Sequence, residues 1–324
     1  MTLTPHLNES SRRLYEKLYR DMGDTIIASL QDPNVNEIML NPDGTLWVDS
    51  VNHGQVHVGH FTNSQAYAII FGVAGIHGFV VNQSHPCLEA ELPNYQALRH
   101  ERFTAQVPPI VSAPCFTLRK RSERVFSLDD YVSTGRMTPT KARLLRDLVT
   151  ARKNILVCGG PGSGKTTVTN ALIHEAVEAD ENQRFLILED LPELQCRAPN
   201  TVALLTSQTV NMQALLRAAM RMRPDRILIG EVRGSEALDM LKAWNTGCPG
   251  GLCTVHANGA EEAMQRILDL AMEAGLTKPP IELAAQTIDV LVSVTRLQHQ
   301  KGFIQDILSP GAYRHGEFTF EKLD

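Results

Sequence analysis

The stretch that decides the fold is Ile155-Leu156-Val157-Cys158-Gly159-Gly160-Pro161-Gly162-Ser163-Gly164-Lys165-Thr166-Thr167. Four apolar residues read as a buried strand, and Gly159 to Thr166 match G-x-x-x-x-G-K-[ST] in full. A helical pattern follows from Val168 to Val177, so the motif has the strand–loop–helix context its chemistry needs. Glycines let backbone N–H groups turn inward around phosphate oxygens without a Cβ in the way. The helix that starts there presents its positive end to the anion. Gly160, Pro161, Gly162, Ser163, Gly164, Lys165, Thr166 and Thr167 are the expected nucleotide-binding residues. Lys165 is assigned to the β- and γ-phosphates, and the Thr166 hydroxyl to Mg²⁺.

Working outward, strand and helix patterns alternate through the second half of the chain. Apolar runs fall at 155–158, 185–188, 227–229, 252–255 and 290–294, with helical patterns at 165–178, 211–222, 235–244 and 260–274. Such alternation predicts a mainly parallel sheet covered by helices. Carboxylates stand at two of the strand ends. Glu189-Asp190, with Glu193 after them, follow one run, and Gly230-Glu231 follow another. Glu231 is expected to orient or deprotonate the attacking water. Because a glycine stands where an aspartate is usual, Glu189 is expected to supply the metal-side carboxylate. His256 ends a further run, placed to sense the γ-phosphate or to bond to Glu231. Thr246-Gly247-Cys248-Pro249-Gly250-Gly251 before it reads as a loop able to approach a ligand closely. Arg217 and Arg221, four apart on one helical face, are expected to stabilise the transferring phosphoryl group, with Arg223 and Arg233 as further candidates.

The first half changes character. Residues 10–31 carry Leu14, Leu18, Met22, Ile26 and Leu30 at every fourth position, one apolar stripe flanked by Arg12, Arg13, Lys17 and Arg20. The stripe packs on its own domain or lies on a membrane surface. Short apolar runs over 35–60 (Val51 among them), with the turn Asn41-Pro42-Asp43-Gly44, predict a small antiparallel sheet. A helix over 63–81 and further strands over 98–118 complete an α+β domain. Thr138-Pro139 starts a helix running to about Arg152. The expected division is a domain over 1–121, a linker over 122–137 and a nucleotide-binding domain over 138–324.

The chain has 324 residues, 43% of them hydrophobic and 21% charged, which excludes wholesale disorder. A net charge of −5 and 6% aromatic residues weigh against a helicase or another nucleic-acid binder, and no sequence-specific nucleic-acid recognition is expected. The six cysteines include no C-x-x-C, which argues against a zinc ribbon and leaves free thiols. MTLTPHLNES lacks the apolar core of a secretory signal, and the run 66–81 is too short and too glycine-rich to span a bilayer. A metabolite kinase would need a substrate lid between the phosphate loop and Glu189, where only one helix fits. An ATP-dependent structural ring with low turnover stays as the alternative to a hydrolase.

The phosphate loop, Glu189-Asp190, Met222-Arg223-Pro224-Asp225-Arg226, Gly230-Glu231-Val232-Arg233-Gly234, Thr246-Gly247 with Gly250-Gly251, and His256-Ala257-Asn258 together resemble the secretion traffic ATPases of type II and type IV systems. Asn36-Glu37-Ile38-Met39-Leu40-Asn41-Pro42-Asp43-Gly44, Leu118-Arg119-Lys120-Arg121 and Phe126-Ser127-Leu128-Asp129-Asp130-Tyr131 are similar to the TrbB-type conjugal transfer branch. The missing C-x-x-C sets the chain apart from zinc-bearing pilus-assembly relatives, and 263–274 lacks the segment usual in retraction motors. The resemblance implies a RecA-like P-loop ATPase domain preceded by a smaller α+β, PAS-like domain. It also implies ATP with Mg²⁺, a hexameric ring and ATP held between the two domains, with arginines such as Arg102 and Arg119 reaching the nucleotide. Docking on inner-membrane channel and coupling proteins from the cytoplasmic face completes the expectation.

Overall fold

The computed structural model describes residues 9–50, 53–120, 125–207, 209–297 and 300–324. Residues 1–8, Val51 and Arg121, and the start of the expected linker at 122–124, lie outside the described residues. The chain divides into two compact units, Met1–Glu123 and Arg124–Asp324.

The first unit runs α1 (Glu9–Gln31), β1 (Val35–Leu40), β2 (Thr45–Ser50), β3 (Gly54–His60), α2 (Asn63–His77), β4 (Cys87–Glu91), β5 (Asn94–Tyr95), β6 (Leu98–Arg99), β7 (Arg102–Gln106) and β8 (Cys115–Arg119). Six strands pair antiparallel in the order β3-β2-β1-β8-β7-β4. Alternate residues, among them Ile38, Leu40, Leu46, Val48, Phe103 and Phe116, are buried against α1 and α2. Leu18, Met22, Ile26 and Leu30 of α1 belong to that core, and only Leu14 stays exposed, so the apolar stripe is spent on its own domain. Asn41-Pro42-Asp43-Gly44 turns β1 into β2, with Gly44 at φ 84°. Thr62 and Gln65 cap each other at the start of α2, which stops at Gly78 (φ 69°), short of residue 81.

The second unit runs α3 (Leu128–Ser133), α4 (Pro139–Thr150), β9 (Ile155–Gly159), α5 (Lys165–Ala179), β10 (Phe185–Glu189), β11 (Thr201–Leu205), α6 (Met212–Ala219), β12 (Arg226–Ile229), α7 (Glu236–Asn245), β13 (Leu252–His256), α8 (Ala260–Met272), α9 (Ile281–Thr287), β14 (Val290–Leu297), β15 (Gln300–Arg314) and β16 (Glu317–Lys322). Its eight-stranded sheet has the order β11-β10-β12-β13-β9-β14-β15-β16, parallel through β14 and antiparallel beyond. Successive strand residues serve opposite faces. Ile155 and Val157 join one core with α4 and α5, while Leu156 and Cys158 join another with α6, α7 and α8. That is why the strands read as unbroken apolar runs. Burial pushes the Cys158 thiol up to about 12, so it packs as a small apolar group.

Most of the expected linker belongs to the second unit, since Leu128, Tyr131 and Met137 sit in the core with α4. The loop Thr246–Gly251 also differs from expectation. Gly251 pairs with Asn154 at the start of β9, and β13 runs from there in parallel to the phosphate-loop end. Gly250 and Gly251 make room for protein, while Gly247 takes a positive φ (98°) in open space. A Cβ on Gly250 (φ 83°) would lie 2.5 Å from Arg226 Nη1, and one on Gly251 would lie 2.2 Å from the Trp244 ring. Buried Arg226 donates to Val149 O (2.9 Å), Gly250 O (3.2 Å) and Gln183 Oε1 (2.6 Å), closing that end of the sheet. Burial, then Arg152, lowers its pKa to about 10.

Candidate functional site

The site stands at the carboxyl ends of β9, β10, β12 and β13, where helix N-termini and strand ends converge. Gly162 (φ 66°) and Gly164 (φ 99°) take backbone conformations that side chains resist. A Cβ on Gly159 would strike Val294 O at 2.3 Å. The first intrahelical bond of α5 runs from Val168 N to Gly164 O (3.0 Å), so the N–H groups of Lys165, Thr166 and Thr167 precede it and face the loop.

Lys165 is buried, and its Nζ donates to Gly159 O (3.0 Å) and Gly160 O (3.1 Å) and lies 3.1 Å from His256 Nδ1. An ammonium only donates, so Nδ1 accepts and the ring proton belongs on Nε2. That nitrogen lies 3.0 Å from Glu231 Oε1. Burial, with help from Lys165, Arg233 and Arg266 and against the pull of Glu231, holds the imidazole pKa below its ordinary value. The neutral ring therefore bridges the lysine of the phosphate loop and the carboxylate at the end of β12. Glu231 Oε1 is buried with no hydrogen bond of good geometry, whereas Oε2 accepts from Arg233 Nη2 (3.0 Å).

On the other side of the loop, Thr166 Oγ1 donates to Glu193 Oε2 (3.1 Å). Glu189, expected at that position, is buried, and its Oε1 accepts the N–H groups of Glu193 (2.8 Å) and Leu194 (2.7 Å). Glu189 thus holds the turn, and Glu193 is the carboxylate that meets the threonine. Three acids stand within five residues there, and only the turn selects among them. Asn170 of α5 secures the same turn, donating to Glu193 O (3.1 Å) and accepting from Gln195 N (2.8 Å). A Cβ on Gly230 would lie 3.1 Å from Glu189 Cγ, which explains a glycine where an aspartate is usual.

The remaining expected residues are placed elsewhere. α6 ends at Ala219, so Arg221 falls in the turn beyond it and does not share a helical face with Arg217. Arg217 faces Asp239 of α7 at 3.6 Å. Among the described residues, no hydrogen bond or ion pair joins Arg217 or Arg221 to the phosphate loop, Glu231 or His256. Arg102 and Arg119 stand opposite one another on β7 and β8 in the first unit, and Arg119 lies 3.9 Å from Glu37. The sequence reading also passed over Glu262 and Arg266 of α8. With Gly160, Pro161, His256 and Asn258 they line a cleft of about 400 Å³ beside the loop. Their spacing of four on a helix that follows His256 was the available signal.

A family described as "Type II/IV secretion system protein" matches residues 23–306. The chain belongs to this family. Over 312 residues this traffic ATPase is 42% identical to a probable conjugal transfer protein TrbB of Sinorhizobium fredii (strain NBRC 101917 / NGR234), covering 96% of this chain and 94% of the relative. It is 29% identical over 322 residues to the type IV secretion system protein VirB11 of Bartonella henselae (strain ATCC 49882 / DSM 28221 / CCUG 30454 / Houston 1), covering 85% and 88%. Among solved structures, the pilus retraction motor PilT with bound ADP aligns with a TM-score of 0.60 at 16% identity, over 92% of this chain and 80% of that one, a likeness of fold alone. The traffic ATPase fold is thus a RecA-like nucleotide-binding unit behind a smaller α+β unit, within the TrbB-type branch of the family.

Proposed function

We propose that the chain hydrolyses ATP as a ring of six copies that energises a conjugative type IV secretion system, driving pilus biogenesis or substrate export. The observation that carries this reading is the line Lys165–His256–Glu231, which runs from the phosphate-binding lysine to a carboxylate whose buried Oε1 lies 3.0 Å from His256 Nε2 without a hydrogen bond of good geometry. Lys165 and the first turn of α5 hold the phosphates. Glu231 Oε1 takes the proton of the attacking water, and neutral His256 relays the state of the phosphate side to Glu231.

The hydroxyl of Thr166 beside the carboxylate of Glu193 is an all-oxygen donor pair, which fits Mg²⁺ better than a softer metal. When bound with the nucleotide, Mg²⁺ neutralises charge on the phosphates. Glu189 keeps Glu193 in place. Arg102 and Arg119 reach the nucleotide, and Arg217 and Arg221 stabilise the transferring phosphoryl group. No described helix is long and apolar enough to cross a membrane. In this reading the ring works in the cytoplasm and docks on channel and coupling proteins at the inner membrane.

Steady-state hydrolysis tests it. Lys165→Ala removes turnover while leaving the circular dichroism spectrum intact, and Glu231→Gln lowers kcat by about 10²–10⁴-fold. Full activity in Lys165→Ala would sink the reading. Equal rates for Glu231→Gln and the parent would favour a ring that binds ATP to assemble.

A further inference from the structure

Arg233 stands two residues after Glu231, and the structure turns it to carboxylates. Its guanidinium reaches two carboxylates on two strand ends. Nη2 donates to Glu231 Oε2 at 3.0 Å, and Nη1 lies 3.6 Å from Asp190 Oδ2. Asp190 directly follows β10, and Glu231 follows β12 after one glycine. These two strands are hydrogen-bonded neighbours, so the arginine bridges adjacent ends of the sheet. Each support of the bridge is itself tied down. Asp190 Oδ1 accepts from Thr206 Oγ1 (2.9 Å), and Glu236 Oε1 accepts from both Arg233 N (2.6 Å) and Gly234 N (2.9 Å).

We propose that Arg233 is a positioning residue for ATP hydrolysis, holding Oε2 of Glu231 beside Asp190 so that Oε1 alone is left toward His256 and the reacting water. The inference rests on Glu231 being the base. A glutamate at the end of a strand can rotate about three bonds, and an unheld carboxylate presents either oxygen in many directions. The planar arginine fork restrains that freedom, one nitrogen donating to Glu231 while the other stands in ion-pair range of Asp190, a geometry a lysine cannot reproduce. The asymmetry at Glu231 is what the strap produces: Oε2 accepts from Arg233, while Oε1 is buried with His256 Nε2 3.0 Å away but makes no hydrogen bond of good geometry. An exposed ion pair contributes little to stability, and the Arg233 side chain is 56% exposed, so its value here lies in orientation.

The test compares the full-length parent with Arg233→Gln, Arg233→Lys, Glu231→Gln and the Arg233→Gln/Glu231→Gln double variant, reading kcat and KM for ATP. Arg233→Gln is expected to lower kcat at least about tenfold with KM changed less than about twofold, the mark of an interaction needed in the transition state. Arg233→Lys recovers part of the loss. The double variant turns over no more slowly than Glu231→Gln alone, because the strap acts only through that carboxylate. Losses that multiply in the double variant, an unchanged kcat in Arg233→Gln, or a rise confined to KM would each overturn the inference. Should Arg233→Gln fail to fold, Arg233→Lys alone and combined with Glu231→Gln carries the same comparison. Parent-like turnover in Glu231→Gln would instead remove Glu231 as the base, an outcome separate from any result at Arg233.

Discussion

His256 Nδ1 has to accept from the Lys165 ammonium, which only the neutral ring can do, and Nε2 with its proton then stands 3.0 Å from Glu231 Oε1. Its pKa lies below the ordinary 6.5, chiefly through burial, which favours the neutral ring. Protonation places a second donor against the Lys165 ammonium. Turnover is therefore expected to fall on the acid side with a midpoint below 6.5, and a pH–rate profile of His256→Asn should lack that limb. The linkage has the same sign for stability. The unfolded ring binds more protons between 6.5 and the lowered folded value, so the contribution of His256 is complete above 6.5 and is lost as pH falls through that window. The paired acids make a second expectation. Glu193→Gln should weaken the Mg²⁺ dependence of turnover while leaving the melting temperature close to the parent's. Glu189→Gln should lower both, because its carboxylate accepts two backbone N–H groups inside the protein. A Glu189→Gln melting temperature equal to the parent's would contradict this.

Elements are punctuated by residues whose chemistry is local, and there the sequence reads well. Thr138 accepts from Lys141 N (3.2 Å) and is followed by Pro139 in the first turn of α4. Thr138→Ala should cost about 1 kcal/mol in denaturant unfolding. Glycines in tight loops are equally visible but their neighbours are not. Gly250→Ala puts a Cβ 2.5 Å from Arg226 at a positive φ, so it should destabilise by more than about 1 kcal/mol. Nucleotide binding at the opposite end of the sheet should be retained. Loss of binding without loss of stability would restore the ligand-loop reading. β4, β11 and the β15–β16 hairpin went unread for a physical reason. β4, β11 and β16 are edge strands with many residues in water, as the exposed positions of Thr201–Leu205 and Glu317–Lys322 illustrate, and the long β15 buries only scattered residues such as Ile304, Ile307 and Leu308, so no continuous apolar run marks them.

At the scale of the whole molecule, each unit has its own core. Leu18, Ile38, Ile69 and Phe103 pack together in the first, while Leu156, Leu186, Leu216 and Trp244 share one of the cores of the second. Residues 124–324 alone should therefore unfold cooperatively in urea and bind nucleotide through Lys165. A non-cooperative transition would mean that the second unit needs the first to fold. The sequence by itself determined the parallel α/β unit, the phosphate loop and the strand ends bearing Glu189, Glu231 and His256. Strands buried on both faces must be continuously apolar, and a phosphate cradle must carry glycines, Lys165 and Thr166 at fixed spacing. Only the tertiary structure decided that Glu193 meets Thr166 while Glu189 holds its turn, that Gly250 and Gly251 accommodate Arg226 and Trp244, and that Arg233 spans two strand ends. These depend on contacts between strands brought together by the sheet order, and residues distant along the chain carry no local pattern that records which of them will touch.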